Sequence, residues 1–592
     1  MSHPENISSL TNSEDVKPFD RSCEVVSFAA VTVALTACGG GGDVLPTATA
    51  TAPAPVPAPV PAPAPVPGPA PALGPAPAPA PASPFTTAEA SRLIAQGGFG
   101  ANRAELERVR ALGSAAAWVS DQLAMPRTQG HFDWIDKTHP NGEDNRIGGA
   151  QGFVDYSVWR KFLGSPDQLR QRMVYALSQI LVVGMEGIAG LNRGYSVTAY
   201  LDVLEDHAFG NFRSLLEAVT LSTAMGVYLS IKGSAQTDAS GRQPDENYAR
   251  EVMQLFTMGL VQLNTDGTPQ LQNGAPVDTY NEADVTGLAR VFTGWNFLST
   301  REGRSKPMVN KASLHETREK AFLGTTIPAN TSAMDSLRIA LDRLFNHANV
   351  GPFIGKQLIQ RLVASNPSPA YVGRVAAVFN NNGAGVRGDL AAVLQAVLLD
   401  TEARNTTASL ADPNGGKLRE PVLRFAAWAR ACNVTSPSGL WNIEDTADPA
   451  KRLGQSPMRS PSVFNFYRPG YLPPNTAIAT AGKVAPEFQI TTETSVAGYI
   501  NFMQLAISDT QGLFKSDAKA DYTQWLALAS DPAALAAEAN LLLAANQLGA
   551  ARVMRIRETV AAMPGVTSAD QLNRIYTAIL LTEAAPEFLV AK

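Results

Sequence analysis

Between Pro46 and Pro84 the chain is almost pure Ala, Pro and Val, and from Pro53 onward Pro takes nearly every second position. No other stretch limits the fold as strongly. Proline lacks a backbone donor and fixes φ, so an Ala-Pro alternation supplies neither a helix interior nor an inner strand. Its small side chains also offer little apolar area to bury. Such a segment favours extended polyproline II at roughly 3.1 Å per residue, and a tether of about forty residues reaches on the order of 100 Å. Three parts are therefore expected: a leader over residues 1–37, a Gly- then Pro/Ala-rich stalk over 38–84, disordered by composition, and a folded region over 85–592.

The leader reads as an address. Val25–Leu35 is an apolar run too short to span a bilayer and suited to the core of a signal peptide. It ends in Leu35-Thr36-Ala37-Cys38, followed by four glycines at 39–42. This resembles the bacterial lipobox, whose cysteine is acylated and becomes the new N-terminus. The resemblance implies a lipid anchor at Cys38, with the membrane as the first partner. Gly39 beside it implies outer-membrane delivery, by analogy with enteric bacteria. The expected setting is the bacterial cell envelope.

With 592 residues, 45% of them hydrophobic, the chain can bury a large core. A net charge of −5 and the lack of any basic run exclude a nucleic-acid binder, which needs clustered cations to displace counterions. Cys23, Cys38 and Cys432 build no disulfide framework. Cys432 closes the apolar helical stretch Phe425-Ala-Ala-Trp-Ala-Arg-Ala and is expected to be buried and inert.

Beyond the stalk the apolar spacing is helical, and the fold class is mainly α: one large multi-helix domain with a small β-hairpin insertion. Thr86 and Glu89 form a capping box. Helical periods recur over 168–183, 197–207 and 212–229. Residues 369–379 and 390–399 form a helical hairpin burying Val372, Val375, Ala376 and Phe379 on one side, and Leu390, Val393, Leu394, Val397 and Leu398 on the other. The β signal is Leu260–Leu263 and Thr268–Gln272 around an Asp266-Gly267 turn. Tyr280–Asp284 opens another helix, capped by Asn281 or Thr279.

Pro244–Leu260 holds the densest functional-group chemistry. Asp245 can cap a helix there and Gly259 can end it. Tyr248, Val252, Leu255, Phe256 and Gly259 form an apolar stripe. Asn247, Glu251 and Gln254 share a second face, and Glu246 sits one turn before Arg250, in ion-pair register.

Glu246-Asn-Tyr-Ala-Arg-Glu251 with Leu255-Phe-Thr-Met-Gly259, and Tyr280–Val285 running into Thr293-Gly-Trp295, resemble the bacterial family called domain of unknown function 1800. Further matches are Gly97-Gly-Phe-Gly100, His315–Gly324, Arg361–Pro369 and Ser462–Gly470. The likeness covers almost everything after the stalk. It implies a secreted or envelope-anchored protein, often encoded beside an exported, sulfatase-like family, domain of unknown function 1501, which would be a partner. It implies no reaction.

The residues themselves leave several chemistries open. No nucleophile elbow, phosphate loop or His-Glu-x-x-His zinc pattern is present. Glu246, Glu251, Glu282 and His315 are the acid/base candidates. No cofactor is evident from the residues; Glu251, Glu282, Asp284 and Glu316 are the candidates for a divalent cation. Asn247, Arg250, Gln254, Trp295, Tyr467 and Arg468 are candidates to line a binding groove, although the aromatic, Pro-rich 456–474 segment favours a loop that wraps the core. His131, Asp133, Asp136 and His139 share no helix face and read as solvated residues leading into the Pro140-Asn-Gly142 turn. The leading expectation is an envelope lipoprotein presenting a helical surface to an exported partner or an extracellular polymer. The alternatives are an acid/base hydrolase or lyase of such a polymer, and a metal-stabilised structural module.

Overall fold

In the computed structural model the residues described are 85–138, 151–188, 193–298, 303, 305–413, 415–509, 514 and 517–592. The leader, Cys38, the stalk, His139 and the Pro140–Gly142 turn lie outside them. Thr87–Gly97 opens the described region on its capping box: the Glu89 amide donates to Thr86 Oγ1 at 3.2 Å and the Thr86 amide to Glu89 Oε2 at 2.8 Å. The glycine-rich segment that follows is a packing device. Phe99 stacks on Phe162 with centroids 4.3 Å apart. Gly100 takes φ +116°, and a Cβ there would lie 2.8 Å from the Ala427 Cα, so only glycine permits this approach.

Helices dominate, as the spacing implied, but two of them are shorter than the apolar runs suggested. Gln168–Ser178 stops before Ile180-Leu-Val-Val183, where β-branched residues and Gly184 disfavour another turn. The Leu181 carbonyl instead accepts the Tyr200 hydroxyl. The 212–229 run breaks into Phe212–Thr220 and Thr223–Tyr228, because Ser222 leaves the helix to cap the second piece through the Met225 amide at 3.3 Å. Arg193–His207 packs beside them. The hairpin of Pro369–Asn380 and Leu390–Leu399 buries the residues its pattern named, with Ser368 and Asp389 as caps.

Among the described residues the β-strands form four antiparallel two-stranded pairs: Leu271–Gln272 with Ala275–Pro276, Trp295–Asn296 with Val309–Asn310, Lys320–Phe322 with Thr325–Ile327, and Lys417–Leu418 with Val590–Ala591. The Asp266-Gly267 turn forms, with Gly267 at φ +76° and its amide donating to the Asn264 carbonyl at 2.9 Å. The segments on either side pair as expected, the Asn264 amide donating to the Thr268 carbonyl at 2.8 Å and the Gln270 amide to the Gln262 carbonyl at 2.7 Å. A second hairpin follows at Asn273-Gly274, where both residues have positive φ as a type I′ turn demands.

Pro81–Lys592 is one compact unit, and its main apolar core runs from Ala90 to Phe588. Cys432 is fully buried in it, and burial pushes its thiol pKa well up. No helix among the described residues is long and apolar enough to cross a membrane.

Candidate functional site

The central helix spans Asn247–Gln254. Tyr248, Val252 and Phe256 are buried, and the Tyr248 ring meets Phe292 edge-on at 4.8 Å. The helix start differs slightly from expectation: Glu246 holds the cap position without capping an amide through its side chain, while Asp245 Oδ1 accepts the Asn247 amide at 2.9 Å. Gly259, at φ +77°, closes the end by donating to the Met253 carbonyl at 3.0 Å.

Arginines and backbone amides divide the expected carboxylate cluster. Arg250 lies 3.5 Å from Glu246 and grips both oxygens of exposed Glu282 at 2.8 and 3.2 Å. That hydrogen bonding holds the Glu282 carboxyl below its usual pKa. Glu246 also accepts from Thr286 Oγ1 at 2.8 Å. Asp284 completes a capping box with Asn281 and accepts the Leu323 amide at 2.6 Å, so it fastens a helix start to a neighbouring turn. Glu316 is buried against Arg318, with contacts of 2.7 and 3.0 Å, and those hydrogen bonds hold its pKa at about 2. His315 is buried with Nδ1 3.1 Å from the Thr293 carbonyl, and burial lowers its pKa. No three His, Cys, Asp or Glu side chains among the described residues come close enough to hold a metal ion. Glu251, Glu282, Asp284 and Glu316 therefore do not gather into a cation cage.

Glu251 is different. It is 8% exposed, and no Lys, Arg or His among the described residues forms an ion pair with it. Its Oε2 is buried without a hydrogen-bond partner. Burial raises its pKa, and the Arg250 charge, engaged elsewhere, offsets this only in part. Half-buried Tyr228 and Tyr280 both feel its charge, which adds to the effect of burial in disfavouring their ionisation. The Tyr280 hydroxyl reaches Gln254 Oε1 at 3.5 Å. Tyr228 lies over the 184–187 turn, where a Cβ on Gly187 would be 2.6 Å from its ring. That turn is tied in turn to the 456–474 loop through the Met185 amide and Met458 carbonyl, at 2.7 Å. Asn247 is exposed and Gln254 half-buried on the same helix.

Two groove candidates are corrected. Trp295 and Tyr467 are buried, 2% and 1% exposed, because ring area outweighs the single polar atom; the Tyr467 hydroxyl donates to Glu420, and the Trp295 indole N–H has no partner among the described residues. Arg468 is exposed, with its guanidinium 4.5 Å from the Phe464 ring centroid.

Two buried charge centres lay outside the sequence reading. At the first, Glu420 Oε1 accepts from Tyr175, Gln179, Gln455 and Tyr467. Arg172 and Arg361 lie over the two tyrosine rings at 5.6 and 4.9 Å. At the second, Glu205 meets Lys161 at 2.8 Å, Gln171 at 2.7 Å and Arg127 at 2.6 Å. His131 packs there with Nδ1 2.9 Å from Ser157 Oγ, and burial lowers its pKa to about 3. This corrects the solvated reading of His131, which begins the His131–Thr138 helix; Asp133 is exposed and Asp136 half-buried. The available signal was polar residues set inside apolar helical runs, as in Gln168-Leu-Arg-Gln-Arg-Met173, since a buried charge requires a partner.

Among curated proteins and among solved structures nothing matches the chain. A family model described as Protein of unknown function (DUF1800) matches residues 92–590. That span takes in the Gly97–Gly100 turn, the 247–254 helix, the 280–295 segment and the Tyr467 loop, and the chain belongs to this family.

Proposed function

We propose that this chain is a bacterial envelope lipoprotein, acylated at Cys38 and set off by its Pro/Ala stalk, that presents the Asn247–Glu251–Gln254 face as a binding surface. Its ligand would be an extracellular polymer, or an exported partner such as a sulfatase-like domain of unknown function 1501 protein. One observation carries the binding reading: Glu251 is a nearly buried carboxyl, with one oxygen unpaired and no ion pair among the described residues, its neighbour Arg250 being held by Glu246 and Glu282. An unpaired buried polar group costs about 1–3 kcal/mol, and a site that completes its bonding on loading a ligand gives that cost a use.

The raised pKa of Glu251 also favours the second reading, a general acid acting on a glycan. Inverting and retaining glycoside hydrolases both need a second carboxylate, and Glu282, the neighbouring candidate, is held by Arg250.

Fatty-acid labelling of the cells tests the anchor: the label is expected on the native chain and absent from Cys38→Ala, which should leave the membrane fraction. Retention on extracellular polymer tests the face. Glu251→Gln is expected to abolish retention with the fold intact. Retention unchanged by that substitution would overturn the assignment, and polymer cleavage that it abolishes would favour the catalytic reading.

A further inference from the structure

The chemistry of what Glu251 lacks narrows the ligand further, an inference that rests on the binding reading above. Buried carboxylates in this molecule are compensated almost everywhere: Glu205 by Lys161 and Arg127, Asp155 by Arg459, Glu487 by Lys417, and Glu316 by Arg318. Glu420 collects four donors on one oxygen. Glu583 also lacks a hydrogen-bond partner, but it is 0% exposed, and burial inside the core raises its pKa well above the usual carboxylate value. Glu251 alone of these combines a carboxyl oxygen without a partner with some exposure to solvent; the one cation whose charge acts on it, Arg250, is held by Glu246 and Glu282, and Gln254, one turn on, meets the Tyr280 hydroxyl.

The partner such a group calls for is a cation, since a carboxylate leaving water is stabilised chiefly by an opposite charge that also donates hydrogen bonds. The neighbouring side chains are consistent with an organic cation. Tyr228 and Tyr280 supply aromatic surface that attracts a cation and packs against the C–H face of a sugar ring. Asn247 and Gln254, on the Glu251 side of the helix, supply amide donors and acceptors for hydroxyls.

We propose that this face takes an amino sugar of an extracellular polymer, with its primary ammonium donating to Glu251. Loading then draws the Glu251 carboxyl to its ionised form and lowers its pKa, so binding releases a proton wherever the free carboxyl is protonated.

Calorimetric titration of the full chain with a β-1,4-linked glucosamine tetramer, its N-acetylated counterpart and a tetralysine peptide tests this. At about pH 6 the unacetylated tetramer should bind at least about tenfold more tightly than the acetylated one, and Glu251→Gln should lose about tenfold for it alone. Equal, Glu251-dependent binding of both sugars would overturn the ammonium inference and leave the binding reading standing. Binding of the peptide without either sugar would overturn the amino-sugar assignment in favour of a protein partner. Binding of none of the three overturns the inference, and the polymer-retention measurement then decides the binding reading separately.

Discussion

At the scale of single residues, partnering decides what a charge does in this molecule. Glu420 is the clearest structural case: replacing it with Ala strips four donors of their common acceptor and removes the charge that offsets the nearby Arg172 and Arg361 guanidiniums. The expected cost is roughly 3–5 kcal/mol in denaturant unfolding, as for other broken buried charge centres; a loss under about 1 kcal/mol would show that the centre is dispensable. Arg250→Ala should behave oppositely, costing no more than about 1 kcal/mol, because its guanidinium is 38% exposed and solvent screens its pairs. His131 and Glu205 set the acid limit. Burial holds the His131 pKa at about 3, below the ordinary 6.5, so the unfolded chain takes its proton first and stability falls as pH drops from about 6.5 towards 3. For Glu205, burial opposes the charge but the surrounding cations outweigh it and hold the pKa at about 2, so its contribution is present above its unfolded pKa and fades as pH falls towards 2. Thermal melts across that range should show His131→Gln with a flatter acid limb than the native chain.

At the scale of elements, sterics overrule propensity at Gly287. Ala in place of Gly inside a helix ordinarily gains about 1 kcal/mol. Here a Cβ would sit 1.7 Å from the Ala321 carbonyl oxygen, where the Glu282–Ala289 helix lies on the Lys320–Phe322 strand. Gly287→Ala should therefore destabilise by at least about 2 kcal/mol, and a raised melting temperature would contradict this packing.

Elements were most legible where a local rule and the core agreed. The Pro369–Asn380 and Leu390–Leu399 hairpin follows from its apolar period, and the start of the 87–97 helix from Thr86 and Glu89. The Asp266-Gly267 turn and the pairing of the segments beside it followed from the dipeptide, whereas the second hairpin at Asn273-Gly274 lay outside the reading. At the candidate site the Glu246–Arg250 pair followed from spacing alone. The bidentate grip of Arg250 on Glu282 and the burial of Trp295 and Tyr467 depend on which helices meet, which spacing within one segment does not carry.

At the scale of the whole molecule, Pro81–Lys592 forms one compact unit. Deleting residues 1–80 should leave the unfolding midpoint unchanged, and a clear drop would give those residues a structural role. Function at this scale rests on whether the molecule carries Glu251 at a cost to its own stability. Its folded pKa is raised above the ordinary 4.5 by burial. Below the unfolded pKa both states are protonated and nothing is lost; as pH rises past it, the unfolded chain ionises more readily and folding loses stability. The decisive measurement is the unfolding free energy of the full chain and of Glu251→Gln at neutral and at acid pH, without ligand. The variant should be the more stable of the two at neutral pH and match the native chain in acid. A variant less stable at neutral pH would show that the Glu251 carboxylate is a structural partner, and would contradict its role as a site waiting for a ligand.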